Sequence, residues 1–216
     1  MGKFITFEGI EGSGKTTQIE MLRDYLLQKN HRVTITREPG GTLIGDQIRK
    51  ILLHDKNNTI SDETELLLYE ACRAQHIQEI IMPALKENRI VLCDRFSDST
   101  LAYQGYGRRM NGERIEKLNK MVAGKIEPDL TILLDMDVSL GLSRAKKRNA
   151  SVREEEREER FEKETLEFHQ RVRNGFLELA QKNKKRIKVI DANRDVDDIQ
   201  GEIKNHVDKV LGSGGA

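Results

Sequence analysis

The sequence predicts an α/β fold: a five-stranded parallel sheet with helices on both faces. Two observations carry this. Five short runs, Phe4 to Phe7, Val33 to Thr36, Ile90 to Cys93, Leu130 to Leu134 and Ile187 to Ile190, are apolar at successive or nearly successive positions. That is the pattern of strands covered on both faces. Longer amphipathic stretches alternate with them, and strand, helix, strand repeated in this way implies parallel pairing through right-handed crossovers.

In chain order, the first strand leads into a glycine-rich loop and a helix over 15–29. The second strand is followed by a Pro-Gly-Gly turn and helical patterns over 43–54 and 62–87. The third precedes helices over 98–106 and 113–123, and the fourth a helix over 139–148. A helix over 161–182, the fifth strand and a helix over 196–211 complete the pattern. Internal repeats and low-complexity linkers are absent, so one domain over 1–211 is expected. The tail Gly212-Ser213-Gly214-Gly215-Ala216 reads as a flexible end.

Composition narrows the function. Of 216 residues, 37% are hydrophobic and 34% charged, yet the formal net charge is only +1. No global basic field exists to drive nucleic-acid or membrane-surface binding, so any anion must be held by local clusters. The two cysteines lack metal-site spacing, and Cys93 lies inside an apolar run, which reads as a small buried hydrophobe. No apolar stretch approaches the ~20 residues of a membrane span, and Met1 to Glu8 is too soon charged for a signal peptide. A cytoplasmic location is expected.

The loop Gly9-Ile10-Glu11-Gly12-Ser13-Gly14-Lys15-Thr16 matches G-x-x-x-x-G-K-[ST] in full, between a strand and a helix. Its glycines let backbone N–H groups wrap a β-phosphate, helped by the following helix N-terminus. Lys15 reaches the β- and γ-phosphates, and the Thr16 hydroxyl ligates Mg²⁺. ATP and Mg²⁺ are therefore the expected donor and metal. A GTPase is excluded: Asn119-Lys120-Met121-Val122 lacks the guanine-reading aspartate, and the Asp198 to Gly201 stretch follows the last strand. A small kinase remains.

Three clusters point to the acceptor. Asp94-Arg95-Phe96 follows the all-apolar third strand, and ligands of open parallel sheets bind beyond the carboxyl ends of the strands. Arg37-Glu38-Pro39-Gly40-Gly41-Thr42 ends the second strand, with Thr42 able to cap the next helix and Arg49 two turns further on. Tyr69 and Arg73, four apart on one helical face, could sandwich a planar base and bond its edge. Finally, Lys146 to Arg160 is almost wholly charged. It reads either as a solvated helix laced by pairs such as Glu156 to Arg160, or as a lid carrying arginines to phosphate.

These pieces in this order resemble the thymidylate kinase family. The resemblance rests on Phe7-Glu8-Gly9 through Thr17, the Arg37 to Thr42 loop, Asp94-Arg95-Phe96-Ser97-Asp98-Ser99, Ala102-Tyr103-Gln104-Gly105, Pro128-Asp129-Leu130 and Arg160-Phe161-Glu162, nearly the whole chain. It implies a P-loop nucleoside-monophosphate kinase fold with a lid near 146–160, and transfer of phosphoryl from ATP to dTMP. It implies donor contacts along Gly9, Ile10, Glu11, Gly12, Ser13, Gly14, Lys15, Thr16 and Thr17. Arg95 would hold the acceptor phosphate, and Asp94 would lie with Thr16 by the Mg²⁺. Tyr69 would stack on the base, with Arg73, Thr100 and Gln104 at its edge. Tyr103 would crowd the sugar's 2′ position, and Glu38 and Arg49 would serve the sugar and phosphate side. The P-loop carries Glu11 where one branch of the family carries an arginine, so the resemblance points to the lid-arginine type, with Arg144, Arg148 and Arg160 as candidates for catalysis beside Lys15. A homodimer through the helices around 62–87 and 98–123 is also implied. The rival readings are a kinase for another nucleoside monophosphate, and a P-loop binding module without turnover.

Overall fold

Five strands form the sheet in the computed structural model, which describes residues 2–54, 59–150 and 158–212. They are β1 (Lys3–Glu8), β2 (Val33–Arg37), β3 (Ile90–Asp94), β4 (Leu130–Asp135) and β5 (Ile187–Asp191). All pair in parallel in the order β2-β3-β1-β4-β5. The register sets Phe7 beside Asp94 and Glu8 beside Leu133. Every strand therefore ends at the same edge, where ligands of such sheets bind.

The alternation of side chains along a strand divides the core. Ile5, Phe7, Ile90 and Leu92 join one cluster with Ile19, Leu22 and Leu26 of α1 (Lys15–Gln28). Phe4, Val91 and Cys93 join a second with Ile77, Ile81 and Ala84. Each fully buried Val, Leu, Ile or Phe among them contributes roughly 1.5–3 kcal/mol. The edge strand β2 differs from the expectation of double coverage, since Ile35 stays 40% exposed.

The helices are α2 (Leu43–Leu53), α3 (Asp62–His76), α4 (Met82–Lys86), α5 (Ser97–Thr100), α6 (Gly112–Ala123), α7 (Val138–Ala150), α8 (Leu166–Lys182) and α9 (Val196–Gly212). The pattern over 62–87 is not one α-helix: a π-helical turn, Ile77–Ile81, joins α3 to α4. Pro83 sits in the first turn of α4, where its missing N–H costs least. The helix expected over 98–106 is α5 running into a π-helical segment, Leu101–Gly107. The helix expected from 161 starts at Leu166, because Thr165 Oγ1 accepts the Phe168 N–H and fixes the N-terminus there. Thr42 caps α2 as expected, accepting from Gly45 N at 2.9 Å. The first residues of the expected lid, 146–150, continue α7, and 151–157 lie outside the described residues, as do the Glu156 pair and 213–216.

Candidate functional site

The loops after β1, β2 and β3 are tied by backbone bonds that prolong the sheet. Arg95 N donates to Phe7 O and Glu38 N donates to Asp94 O, both at 2.9 Å. The P-loop, the Glu38 loop and the Asp94-Arg95 turn consequently open into one cleft of about 1340 Å³. That exceeds the roughly 300–1,000 Å³ of a single small-ligand site and has room for two nucleotides.

In the P-loop, Gly12 has φ of +71°, and a Cβ there would lie 2.1 Å from Gly141 O, so the loop closes against α7 only with glycine. Lys15 Nζ donates to the carbonyls of Gly9 (3.1 Å) and Ile10 (2.9 Å). Burial, reinforced by the nearby Arg95 charge, lowers its pKa to about 8. Gly9 and Ile10 form the back of the loop, whereas Glu11, Gly12, Ser13, Gly14, Lys15, Thr16 and Thr17 line the cleft. The Thr16 hydroxyl lies 3.4 Å from Asp94 Oδ2. These adjacent hard oxygen donors suit Mg²⁺. Among the described residues no group of three or more His, Cys, Asp or Glu side chains forms a metal cage.

Arg95 adopts φ of +72°. Its Nη1 donates to Ser99 Oγ (3.1 Å), and its Nη2 to Glu11 Oε1 (3.2 Å) and Tyr103 OH (3.0 Å). Tyr103 OH in turn donates to Glu11 Oε1. Three of the five guanidinium donors are so engaged, and two have no partner among the described residues. Burial favours a protonated Glu11, but His169, Arg95 and Tyr103 outweigh it and hold that carboxyl well below the usual carboxylate range.

Around Arg73 lies a buried polar network. Arg73 donates from Nε to Glu38 Oε2 (2.9 Å), from Nη1 to Glu70 Oε1 (2.5 Å) and Asn119 Oδ1 (2.7 Å), and from Nη2 to Thr100 Oγ1 (2.8 Å). His76 Nδ1 donates to the other Glu38 oxygen at 2.9 Å. Four of the five Arg73 donors are used inside the protein, leaving one N–H on Nη2. Thr100, accepting from Arg73, keeps its hydroxyl proton to give away. Tyr69, Arg73, Thr100, Tyr103 and Gln104 line the cleft together.

Arg49 also lines the cleft, but its Nε and Nη2 donate to the two Glu158 oxygens (2.6 and 2.5 Å), while Nη1 donates to Pro39 O (2.8 Å). The three candidate lid arginines separate. Arg144 and Arg148 line the cleft, with Arg148 Nη2 3.6 Å from Glu162 Oε1. Arg160 does not line it: the side chain is buried, donating to Leu52 O and, at 2.5 Å, to Glu65 Oε2. A guanidinium so engaged braces the wall between α2 and α3 rather than facing phosphate.

Three buried residues behind the cleft support its lining, and of these only Glu8 falls in a sequence motif, Phe7-Glu8-Gly9. Glu8, fully buried at the end of β1, accepts from Phe96 N (2.8 Å) and Ser99 Oγ (2.5 Å). Burial, aided by the Asp98 carboxylate, raises its pKa from 4.5 to about 7. Glu65 receives Gln104, Arg108 and Arg160. His169 of α8 is completely buried, with Nε2 2.9 Å from Phe161 O and Nδ1 3.3 Å from Glu11 Oε2. A glutamate preceding a P-loop glycine was the one available sequence signal, for Glu8. No described helix is long and apolar enough to cross a membrane.

Comparison with known proteins agrees with this geometry. A sequence model described as thymidylate kinase matches residues 7–203. A thymidylate kinase of Geobacter sulfurreducens is 57% identical over 91% of this chain and 92% of its own length. One of Pelobacter propionicus is 54% identical over 94% and 92%. The crystal structure of thymidylate kinase from Ehrlichia chaffeensis superposes with a TM-score of 0.77 at 38% identity, covering 96% of this chain and 98% of that one. With a P-loop, a two-nucleotide cleft and likeness along its whole length, the chain belongs to the thymidylate kinase family.

Proposed function

We propose that this protein transfers the γ-phosphoryl group of ATP to dTMP, forming dTDP and ADP. The observation that carries the reading is the union, in one cleft, of the P-loop with Arg95 and the Tyr69, Arg73, Thr100 and Gln104 cluster. The donor site alone would suit many P-loop proteins.

The acceptor is a phosphate monoester whose second pKa is about 6, so at neutral pH it is already mostly dianionic and needs no general base. Its oxygen attacks the γ-phosphorus in line while the bond to the β-bridging oxygen breaks. Two polyanions must therefore be neutralised and aligned. Arg95 presents its two remaining N–H groups to the acceptor phosphate, held from behind by Glu11, Ser99 and Tyr103. Lys15 turns from its own loop carbonyls toward the donor phosphates. Thr16 and Asp94 hold Mg²⁺, which when bound neutralises charge on the donor phosphate oxygens. Arg144 and Arg148, rather than Arg160, supply positive charge from the lid side. The remaining Arg73 donor and the Thr100 hydroxyl face base carbonyls, Tyr69 stacks on the ring, and buried Tyr103 leaves little room for a 2′-hydroxyl.

ADP release with ATP and Mg²⁺ tests this, comparing dTMP, dUMP, dCMP, AMP, GMP and thymidine. Preference for any acceptor other than dTMP overturns the substrate assignment. The partner we assign is a second copy of this chain, through the helices around 62–87 and 98–123, where Leu67 of α3 is 53% exposed. A monomer in analytical ultracentrifugation at micromolar concentration would refute it. The buried thiols Cys72 and Cys93 suit the cytoplasm.

A further inference from the structure

Gln104 is buried at the base side of the cleft, and the orientation of its amide decides what a base edge meets there. An amide offers a donor end and an acceptor end, and only its surroundings fix which end faces where. Here the surroundings are one carboxylate. Gln104 Nε2 donates to Glu65 Oε1 at 2.8 Å. The same carboxylate takes Arg108 Nε on Oε1 (3.2 Å), Arg108 Nη2 on Oε2 (3.1 Å) and Arg160 Nη2 on Oε2 (2.5 Å). Glu65 is 1% exposed and accepts four N–H bonds, which fills its lone pairs. Burial favours its protonation, but the Arg108 bonds and the Arg160 charge prevail and hold its carboxyl below the ordinary value.

An ionised carboxylate can only accept. A flipped Gln104 would set its carbonyl oxygen against Glu65, acceptor to acceptor, in a buried site where a mispaired polar group is costly. We propose that Glu65 is a positioning residue for base specificity: it pins the Gln104 amide with its carbonyl toward the cleft, so that the site takes a base bearing a ring N–H and rejects one bearing a bare ring nitrogen. Thymine and uracil carry that N–H at N3. Cytosine carries an unprotonated nitrogen at the same position, which would meet the Gln104 oxygen as a second acceptor. This inference rests on the reading that Gln104 meets the base edge, and it adds a role for Arg108 and Arg160, which keep Glu65 ionised.

Glu65→Gln tests it. The new amide can accept from or donate to Gln104, so the flip is freed while a side chain of the same shape remains. The ratio of kcat/KM for dTMP over dCMP is expected to fall at least about tenfold, the scale of one buried mispaired group. A role limited to bracing the fold would depress both substrates together, and a ratio unchanged within threefold in the folded variant overturns the proposal. Gln104→Leu separates the two layers. If it leaves the ratio intact, the reading of Gln104 itself fails; if it collapses the ratio while Glu65→Gln does not, only the pinning fails. Should Glu65→Gln not fold, the wild-type protein still decides. The side-chain NH₂ resonances absent from Gln104→Leu should exchange slowly with deuterium in nucleotide-free protein, and exchange at the free-amide rate overturns the pinning.

Discussion

Replacing Glu8 by Gln should flatten the dependence of stability on pH. Glu8 is fully buried at the end of the central strand, and its carboxyl titrates near 7 rather than 4.5 because burial and Asp98 oppose its charge. The folded value is raised, so the stability associated with this group is whole below pH 4.5 and is lost as pH rises through 7. From those two values, ionisation of Glu8 costs folding about 1 kcal/mol at pH 5 and about 3 kcal/mol at pH 8, a loss of roughly 2 kcal/mol or more across the interval. Glutamine keeps a carbonyl for the Phe96 N–H and turns its amide toward Ser99, which then accepts. It does not titrate. Urea unfolding at pH 5, 6, 7 and 8, with matched m-values, should show the stability difference between variant and wild type growing in the variant's favour by about 2–3 kcal/mol. Parallel curves, with a difference constant to about 0.5 kcal/mol, would refute the argument that Glu8 carries this titration.

Two further outcomes follow from the site. Arg95→Ala should retain ATP binding by calorimetry yet lower kcat/KM for dTMP by about 10²–10³, the scale of removing one preorganised donor group; undiminished turnover would remove Arg95 from the mechanism. Lys15 titrates near 8, and a triphosphate beside it favours its charged form. Donor binding at pH 8 should therefore take up about half a proton, read from calorimetry in buffers of different ionisation enthalpy, and weaken as pH climbs toward 10; no uptake would contradict the buried lysine.

The strands were legible because double coverage demands unbroken apolar runs, and Ile90 to Cys93 is such a run. The donor loop was legible because its chemistry is local: eight consecutive residues contain the whole cradle. The strand-end clusters followed from the rule for parallel sheets, which brought Glu38 and Arg95 to one edge. What escaped was long-range and electrostatic. Arg160 and Glu65 lie 95 residues apart, and nothing in a charged run tells the arginine drawn into a wall from those left toward the cleft. His169 beside Glu11 is hidden for the same reason, since a single histidine in an amphipathic helix reads as surface or core alike. The π-helical segments at Ile77–Ile81 and Leu101–Gly107 were invisible because one inserted residue per turn barely disturbs a helical hydrophobic pattern.

The position of β1 has a consequence for how the protein is made. Of these five strands the one synthesised first is the centre of the sheet, and its neighbours are β3 and β4. Its partner Asp94 leaves the ribosome 87 residues after Phe7. At about 5–20 residues per second, that is an interval of roughly 4–17 s. During it the apolar segment Phe4 to Phe7 has both edges unpaired, and the Ile77, Ile81 and Ala84 side chains that cover its second face are late to arrive. A nascent chain built this way depends on early docking of α1, which supplies Ile19, Leu22 and Leu26 from the next few residues, or on a chaperone that shields the strand until β3 emerges.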